Sequence, residues 1–347
     1  MRFYTGQHQY YCGIDLHARS MYLCILNQAG EVLLHRDMPA GPEPFLRAIE
    51  PYRASLAVAV ECIFTWYWLA DLCVREKIAF VLGHALYMKA IHGGKAKNDK
   101  IDAQKIAALL RGGMLPQAYV YPERMRATRD LLRRRNHLVQ RRSELLAHIQ
   151  NTNSQYNLPE LGKKIGRAAN REGLSERFAS PCVRKSIELD MALIDTYDRE
   201  LSALECYILG QAKTHDRQSL TLLRSVPGIG EILSLTILYE IENIERFEQV
   251  GNFLSYGRLV KCARESAGKR YGTGGAKIGN VHLRWAFGEA ACLYLRNNPA
   301  GQKLHARLVA RHGKSKALSI LAQKLARAVY CMLKRNKVFD PERFVKS

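Results

Sequence analysis

The amino-acid sequence predicts an α/β domain followed by a mostly α-helical remainder, and three observations support this fold class and its division into domains. Short apolar runs rich in β-branched residues alternate with helical patterns up to residue 113, whereas long helical periodicities dominate beyond residue 122. Residues 1–95 carry nine Lys/Arg and eight Asp/Glu, while the other 252 residues carry 44 and 24. The length of 347 residues exceeds that of a typical single domain. We therefore predict domains at residues 1–120, 121–215 and 216–347.

The first domain predicts three strands, then helix, strand, helix, strand and helix. The segments in this order are residues 10–17, 20–27, 31–38, 42–52, 55–63, 65–77, 78–85 and 98–113. The polar ARS segment and the turn-like NQAG indicate an antiparallel meander for the first three strands. Thr65 is a candidate N-cap for the second helix. This order is that of a ribonuclease-H-like layer, in which the first and fourth strands lie side by side.

Four acidic residues of this domain lie where a metal-dependent nuclease would need them. Asp15 and Glu61 belong to apolar, β-branched runs, where a carboxylate is costly to bury without a partner. Asp99 and Asp102 are spaced i,i+3 and share one face of a helix. A divalent cation would gather these like charges in one place. The alternatives are a turn aspartate at Asp15, an arginine partner for Glu61 and a helix N-cap at Asp99.

The second domain predicts an antiparallel helical hairpin or coiled coil, interrupted by a loop or broken helix at residues 151–180. Apolar residues repeat along each helix. They are Leu131, Leu132, Leu138, Val139, Leu145 and Leu146 in the first, and Ile187, Met191, Ile194, Leu201, Leu204 and Ile208 in the second. Eight arginines lie between residues 124 and 142. They favour contact with a nucleic-acid backbone, by Arg133, Arg134 and Arg135 above all, over a merely solvated face.

The third domain predicts mostly helices and begins with a helix-hairpin-helix-like element at residues 222–241. Its Val-Pro-Gly-Ile-Gly segment would let backbone amides approach a phosphate, although a plain turn is the alternative. Residues 264–280 are basic and rich in glycine, which predicts a flexible loop leading into a helix at 280–294. Residues 316–336 predict an amphipathic helix that packs through its apolar face.

Composition narrows the class of function. There is no run of 18 apolar residues and no secretion signal, so we expect a cytoplasmic protein. Nine cysteines without a Cys-x-x-Cys pair indicate reduced thiols, and the 11 histidines show no metal-ligand spacing, so no role is assigned to them. A near-neutral acidic module joined to a basic body suggests catalysis coupled to polyanion binding. A membrane surface is the weaker alternative, because no lipid anchor is evident.

The motifs together resemble those of the IS110-type transposases, the DEDD recombinases, over essentially the whole chain. The resemblance to their RuvC-like domain lies in GIDLH, VECIFTWYWLADLC and GGKAKNDKIDAQKIAALLRGGMLPQAYVYP. The resemblance to their coiled-coil linker lies in MRATRDLLRRR, and that to their transposase domain in SVPGIGEILSLTILYEI and SYGRLVKCARESAGKRYGTGGAKIGN. Two departures are Cys62-Ile63, where many relatives have Thr-Gly, and Lys261-Cys262, where many have a proline.

The resemblance implies catalysis by a metal and a serine. Asp15, Glu61, Asp99 and Asp102 would hold Mg²⁺, for which Mn²⁺ can substitute. Ser266 would attack the scissile phosphate and leave a covalent phosphoserine DNA end. A phosphate-contacting loop serine is the alternative, and Ser255 and Thr273 are neighbours that do not match the motif position. Four basic residues would bind the DNA backbone there: Arg264, Lys269, Arg270 and Lys277.

The resemblance also implies nucleic-acid partners and an oligomer. The partners would be double-stranded donor and target DNA and a structured non-coding guide RNA that pairs with both. We expect a dimer and, in the complex that joins two duplexes, a tetramer. Two rival functions are a Holliday-junction nuclease that uses the same acids without Ser266, and a non-catalytic nucleic-acid-binding protein. The aromatic residues 66–68 can stack on bases or pack in the core, and their helical spacing favours packing.

Overall fold

The chain divides into two units, Met1–Glu123 and Arg124–Ser347, in a computed structural model. The structure describes residues 2–91, 98–162, 164–274 and 278–346. Within these ranges, no helix has the length and apolar character needed to cross a membrane. The division into three domains, with boundaries at residues 120/121 and 215/216, stays a prediction.

The first unit holds a five-stranded sheet and its helices. The strands are β1 (Tyr10–Leu16), β2 (Ser20–Asn27), β3 (Val32–Pro39), β4 (Leu56–Glu61) and β5 (Ala79–Gly83). The helices are α1 (Pro42–Ile49), α2 (Tyr67–Arg75), α3 (Ala85–Ile91) and α4 (Asp99–Arg111). All five predicted strands are confirmed. Helix α3 was not predicted, and a 3-10 helix over Glu50–Ser55 replaces the end of the first predicted helix.

The strand order of the sheet is β3-β2-β1-β4-β5. Strand β1 pairs antiparallel with β2 and parallel with β4, and Ile14 lies opposite Val60. The first and fourth strands are therefore neighbours, as predicted, in a mixed sheet consistent with a ribonuclease-H-like domain. The last pair of the parallel β1–β4 ladder, Ile14 and Val60, lies one residue before Asp15 and Glu61. These two acids therefore lie side by side at the carboxyl ends of their strands.

Helix α4 packs directly on β1 at Gly13. A Cβ atom at Gly13 would lie 2.2 Å from the carbonyl oxygen of Ala103 and 2.3 Å from the backbone nitrogen of Ala107. Both alanines are fully buried, and they pack with Cys24 of β2. Small residues on both elements thus bring the two backbones into contact, two residues before Asp15.

The predicted N-cap of α2 is wrong. The capping position is occupied by Trp66, and no side chain caps this helix by a hydrogen bond. Instead, Thr65 Oγ1 donates to the carbonyl oxygen of Leu16 at 3.0 Å and ties the start of α2 to the end of β1. The Trp66 side chain is only 5% exposed, so this aromatic residue packs in the core.

The second unit is mostly helical. Its helices are α5 (Glu123–Gln155), α6 (Pro181–Arg224), α7 (Glu231–Ile241), α8 (Val250–Tyr256), α9 (Val281–Tyr294), α10 (Pro299–His312), α11 (Lys314–Arg335) and α12 (Pro341–Lys346). Strands β6 (Cys262–Ser266) and β7 (Lys269–Gly274) form an antiparallel hairpin. The flexible loop predicted for residues 264–280 is therefore wrong at residues 264–274. The helix predicted at 280–294 and the amphipathic tail helix are confirmed.

Helices α5 and α6 run antiparallel to each other. Side-chain contacts join them at three levels: the ion pairs Arg135–Glu205 and Arg142–Asp198, and a hydrogen bond between His148 and Asp190. Since partners later in α5 come earlier in α6, the two helices form the predicted hairpin. Its closed end is filled by buried apolar residues, among them Ile149, Phe178 and Ile187, and the intervening segment contains two short 3-10 turns. Heptad coiled-coil packing stays a prediction.

The turn between α6 and α7 shows why its first glycine is needed. Gly228 has φ +85, and a Cβ atom there would lie 2.5 Å from the backbone nitrogen of Tyr294 at the end of α9. This glycine therefore permits close packing between helices. The element has the predicted helix, turn, helix shape, while phosphate binding by a helix-hairpin-helix stays a prediction.

Candidate metal centre and serine hairpin

Three side chains of the first unit form a candidate metal centre. The Nε2 atom of His17 lies 3.5 Å from the Oδ2 atom of Asp15 and 3.5 Å from the Oδ2 atom of Asp99. One ligand atom from each residue lies within 4.8 Å of the others. Asp15 and His17 are two residues apart, a spacing that places both on one face of a strand and its extension, while Asp99 comes from the first turn of α4. Two carboxylates and an imidazole are a donor set that divalent cations accept.

Capping does not explain Asp99. The N-cap of α4 is Asn98, whose side-chain oxygen accepts a hydrogen bond from the Ile101 backbone N–H at 2.8 Å. The alternative interpretation of Asp99 as the helix cap is therefore wrong. Its carboxylate instead lies beside His17, at a helix N-terminus where a negative charge is favourable.

The two other predicted acids lie on β4 and α4 and are not members of this three-residue group. Glu61 is the last residue of β4, next to β1 in the sheet. Asp102 lies one turn beyond Asp99 on α4, and its Oδ1 atom is 3.5 Å from the Nζ atom of Lys105. The carboxylates of Asp15 and Asp102 are 19% and 25% exposed, so both groups are accessible to an ion.

His17 is the residue that sequence reasoning missed. No pair of histidines has a ligand spacing, and none was assigned a role. A sequence signal for His17 does exist, but it combines two residue types. In the GIDLH motif, an aspartate and a histidine lie two residues apart at the end of a strand, so both can project from the same face.

Ser266 lies at the tip of the β6–β7 hairpin and is exposed. The two-residue turn consists of Ala267 and Gly268, which have φ 49 and φ 72, the pattern of a type I′ turn. Ser266 pairs directly with Lys269 across this turn. Directly opposed residues project their side chains from the same face, so the hydroxyl and the ammonium share one side of the hairpin.

The other basic residues predicted for this segment are only partly described. Arg264 and Arg270 belong to β6 and β7, but their side chains lie outside the described part of the chain, as does Lys277 entirely.

The base of the hairpin is held by hydrogen bonds between its two ends. The Asn280 backbone N–H donates to the Tyr256 carbonyl at 2.5 Å, and Arg258 Nε donates to the Gly279 carbonyl at 2.9 Å. The Asn280 side chain caps α9 by accepting from the Leu283 N–H at 3.0 Å. Its amide nitrogen donates to Glu240 at 2.6 Å. Asn280 thus forms a hydrogen bond at the base of the hairpin, caps α9 and contacts a buried carboxylate.

Glu240 is buried and paired. Only 2% of its side chain is exposed, and Arg133 donates to both carboxylate oxygens, at 2.7 and 2.8 Å. Burial acts to raise the pKa of Glu240, but the hydrogen bonds from Arg133 and Asn280 outweigh it and hold this pKa below its ordinary value. The network connects α5, α7 and the start of α9.

Two arginines predicted to contact nucleic acid bind carboxylates of the chain itself. Arg133 pairs with Glu240, and Arg135 pairs with Glu205 while its side chain is only 14% exposed. Arg134, between them, is exposed, and no acidic side chain of the described residues lies within ion-pair distance of it.

Comparisons with known proteins agree with this architecture. A family model described as "Transposase IS116/IS110/IS902 family" matches residues 220–306, and a transposase model of the DEDD IS110 type matches residues 12–157. The transposase for insertion sequence element IS1111A of Coxiella burnetii (strain RSA 493 / Nine Mile phase I) is 26% identical over 343 residues, which cover 94% of this chain and 90% of the relative. The candidate transposase y4qE of Sinorhizobium fredii (strain NBRC 101917 / NGR234) is 26% identical over 251 residues, 70% of this chain and 59% of the relative.

The mixed sheet, the carboxylates at one of its edges and these matches define a transposase, an enzyme that cuts and rejoins DNA. The chain belongs to the IS110 family of transposases. DEDD transposases use divalent metal ions, and the group of Asp15, His17 and Asp99 offers ligands for one. As a transposase, the protein is expected to bind DNA.

Proposed function

We propose that this transposase breaks DNA by metal-assisted attack of Ser266 on a phosphodiester, and that an element-encoded non-coding RNA selects the DNA. The observation that carries the serine mechanism is the position of Ser266. It is exposed at the tip of a hairpin, directly across from the cation of Lys269. A structural serine has no need of either feature.

The reaction exchanges one phosphodiester for another. A bond forms between Ser266 Oγ and phosphorus, the bond to the departing strand breaks, and that strand leaves as a hydroxyl after it takes up a proton. The hydroxyl proton of Ser266 passes to water or to a nearby base. Attack by the hydroxyl of another strand then releases the serine. Because the number of phosphoester bonds is conserved, joining needs no external energy source.

The chain's own groups would prepare this attack. Lys269 would pair with a non-bridging phosphate oxygen on the hairpin face that carries Ser266. Asp15, Glu61, Asp99 and Asp102, with His17 beside them, would hold Mg²⁺ or Mn²⁺. When bound, the metal neutralises phosphate charge and polarises an oxygen, which a serine hydroxyl near its free pKa requires.

A covalent-trapping assay tests the serine. Labelled DNA carrying the element's ends is incubated with protein, guide RNA and Mg²⁺, and protein–DNA adducts that resist denaturant are counted. We expect adducts with the wild-type protein and none with Ser266→Ala. The matched control is Ser255→Ala, which removes an exposed hydroxyl of α8 and should form adducts at the wild-type level. Adducts at the wild-type level with Ser266→Ala would eliminate the serine mechanism.

The same variants separate the rival functions. A junction nuclease that hydrolyses DNA would keep its cleavage in Ser266→Ala and lose it in Asp15→Asn. The proposed recombinase loses strand cleavage in both. Equal activity in chelator and in Mg²⁺ would contradict the metal site.

The guide RNA is tested on protein purified from cells that carry the complete element. Sequencing should recover one discrete structured RNA from the non-coding end of the element. Heterogeneous RNA alone would support a protein-only recombinase. Mass measurement of the RNA-bound protein, with and without DNA, tests the proposed dimer and tetramer.

A further inference from the structure

The C-terminal part of the chain contains a long segment without acidic residues. Between Glu289 and Asp340, the sequence has no Asp or Glu and eleven Lys/Arg. The basic residues are Arg296, Lys303, Arg307, Arg311, Lys314, Lys316, Lys324, Arg327, Lys334, Arg335 and Lys337. This segment contains α10, which was not predicted from the sequence, and α11, for which the sequence predicted only packing.

Six of these residues form what we call the α10–α11 basic face. Its members are Lys303, Arg307 and Arg311 on α10, and Lys316, Lys324 and Arg327 on α11. The three residues of α10 are spaced i, i+4, i+8, so they follow one stripe of the helix. Those of α11 are spaced i, i+8, i+11 and do the same. At a rise of about 1.5 Å per residue, the stripes extend roughly 12 Å and 17 Å.

The two stripes meet where α10 and α11 pack together. Lys324 is partly buried, and it is close enough to Arg307 and Arg327 to feel their charges. Burial first, and then these two arginines, lower the pKa of Lys324. Arg307 is held in this position because its Nη2 atom donates to the Val345 carbonyl at 3.1 Å, in α12. The fold therefore brings three cations together.

No acidic side chain in the described part of the chain offsets this charge by an ion pair. Across residues 2–91, 98–162, 164–274 and 278–346, none of the six members makes an ion pair with an acidic side chain. The arginines of the α5–α6 hairpin behave differently, because Arg135 and Arg142 bind Glu205 and Asp198. Gathering like charges without a counterion costs free energy, which an external polyanion would recover.

We propose that the α10–α11 basic face binds the phosphate backbone of duplex DNA outside the cleavage site. A DNA strand presents one phosphate per about 3.4 Å of helix axis, so stripes of this length can meet several phosphates. Contacts from lysine and arginine to phosphates fix the position of a protein on the duplex and carry no sequence information directly, so we expect this face to bind DNA without regard to sequence. The surface would hold flanking DNA whether or not Ser266 is the nucleophile.

The test compares two triple variants of equal net charge. The first carries Arg307→Gln, Lys324→Gln and Arg327→Gln. The control carries Lys185→Gln, Arg199→Gln and Lys346→Gln, three exposed residues that each lie beside an acid. Binding of a duplex of unrelated sequence is measured against salt concentration. If three phosphate contacts are lost, the slope of log K against log salt should become shallower by about 2.7 in the first variant, because each contact contributes about 0.9.

The control variant should keep the wild-type slope, and so should a variant with Arg307→Lys and Arg327→Lys, which keeps the charges. Circular dichroism melts of each variant check that the fold is retained. Equal slopes in both triple variants would overturn the proposal. A defect confined to structured RNA, or to vesicles containing anionic lipid, would also overturn it and assign the face to that partner.

Discussion

Replacing Gly13 by alanine should damage the metal centre without touching a ligand. Gly13 lies in β1, two residues before Asp15, and an added Cβ atom would lie 2.2 Å from the Ala103 carbonyl oxygen of α4. The backbone nitrogen and Cα of Ala107 would lie at 2.3 and 2.9 Å, and because all three obstacles are backbone atoms, no side chain can rotate away. Helix α4 must therefore move outward by about 1 Å to restore a normal contact.

The size of the effect follows from this displacement. Overpacking of a core lowers the free energy of unfolding by about 1–3 kcal/mol. For a unit of this size, a loss of 1 kcal/mol lowers the Tm by about 4 °C, so we expect the Tm to fall by about 4–12 °C. The displacement also changes the distances between the candidate metal ligands, because Asp99 lies on α4 whereas Asp15 lies in β1 and His17 directly follows it. Since metal–ligand distances tolerate about 0.2 Å, we expect a 10–100-fold loss of metal affinity.

Calorimetric titration with Mn²⁺ and thermal melts with and without the ion measure both effects. The control is Gly41→Ala in the same unit. Its added Cβ atom would have a nearest neighbour at 3.6 Å, and its φ of 179 is open to any residue. We expect this control to keep the wild-type metal affinity. A Gly13→Ala protein with unchanged Tm and unchanged Mn²⁺ affinity would refute the argument that close packing of α4 on β1 positions the site.

Three further predictions follow from the site. His17→Ala should weaken Mn²⁺ binding about 10–100-fold in calorimetry, and unchanged affinity would remove His17 from the centre. Glu240→Gln leaves Arg133 without a carboxylate and should cost about 3 kcal/mol in denaturant unfolding. Because the pKa of Glu240 is lowered in the folded state, its stabilisation is present above about pH 4.5 and lost as pH falls further, so the variant's melting should depend less on acid pH. Ala267→Val should slow adduct formation, because a β-branched residue resists φ 49, whereas Ala267→Gly should preserve it.

The sequence predicted the sheet of the first unit well, because its strands are short apolar runs that end at turns. The neighbours β1 and β4 were also predicted, since the order of elements permits few topologies. The β6–β7 hairpin was missed because its strands are polar and rich in glycine, and its turn places the non-glycine Ala267 at positive φ. Composition alone does not distinguish such a hairpin from a loop.

The candidate site shows the same limit. Asp15 was predicted because a carboxylate in a β-branched run stands out against its surroundings, and Asp99 because it shares one helix face with Asp102. The contribution of His17 depends on how α4 lies against β1, and this arrangement depends on Gly13 meeting Ala103. Contacts between elements distant in sequence are not encoded in the spacing of either segment.

The arginines show why the density of basic residues is a weaker signal for nucleic-acid binding than the absence of acids. Eight arginines crowd residues 124–142, yet Arg133, Arg135 and Arg142 bind carboxylates that lie 56–107 residues further along the chain. A count of basic residues within one segment cannot identify carboxylate partners that are so distant in the sequence. On α10 and α11 the bases are sparser, but the 50 residues from 290 to 339 contain no acid, and no described carboxylate pairs with the basic face. Charge that the fold leaves uncompensated attracts a polyanion, so the α10–α11 basic face should contribute more to the salt dependence of DNA binding than Arg133 and Arg135 do.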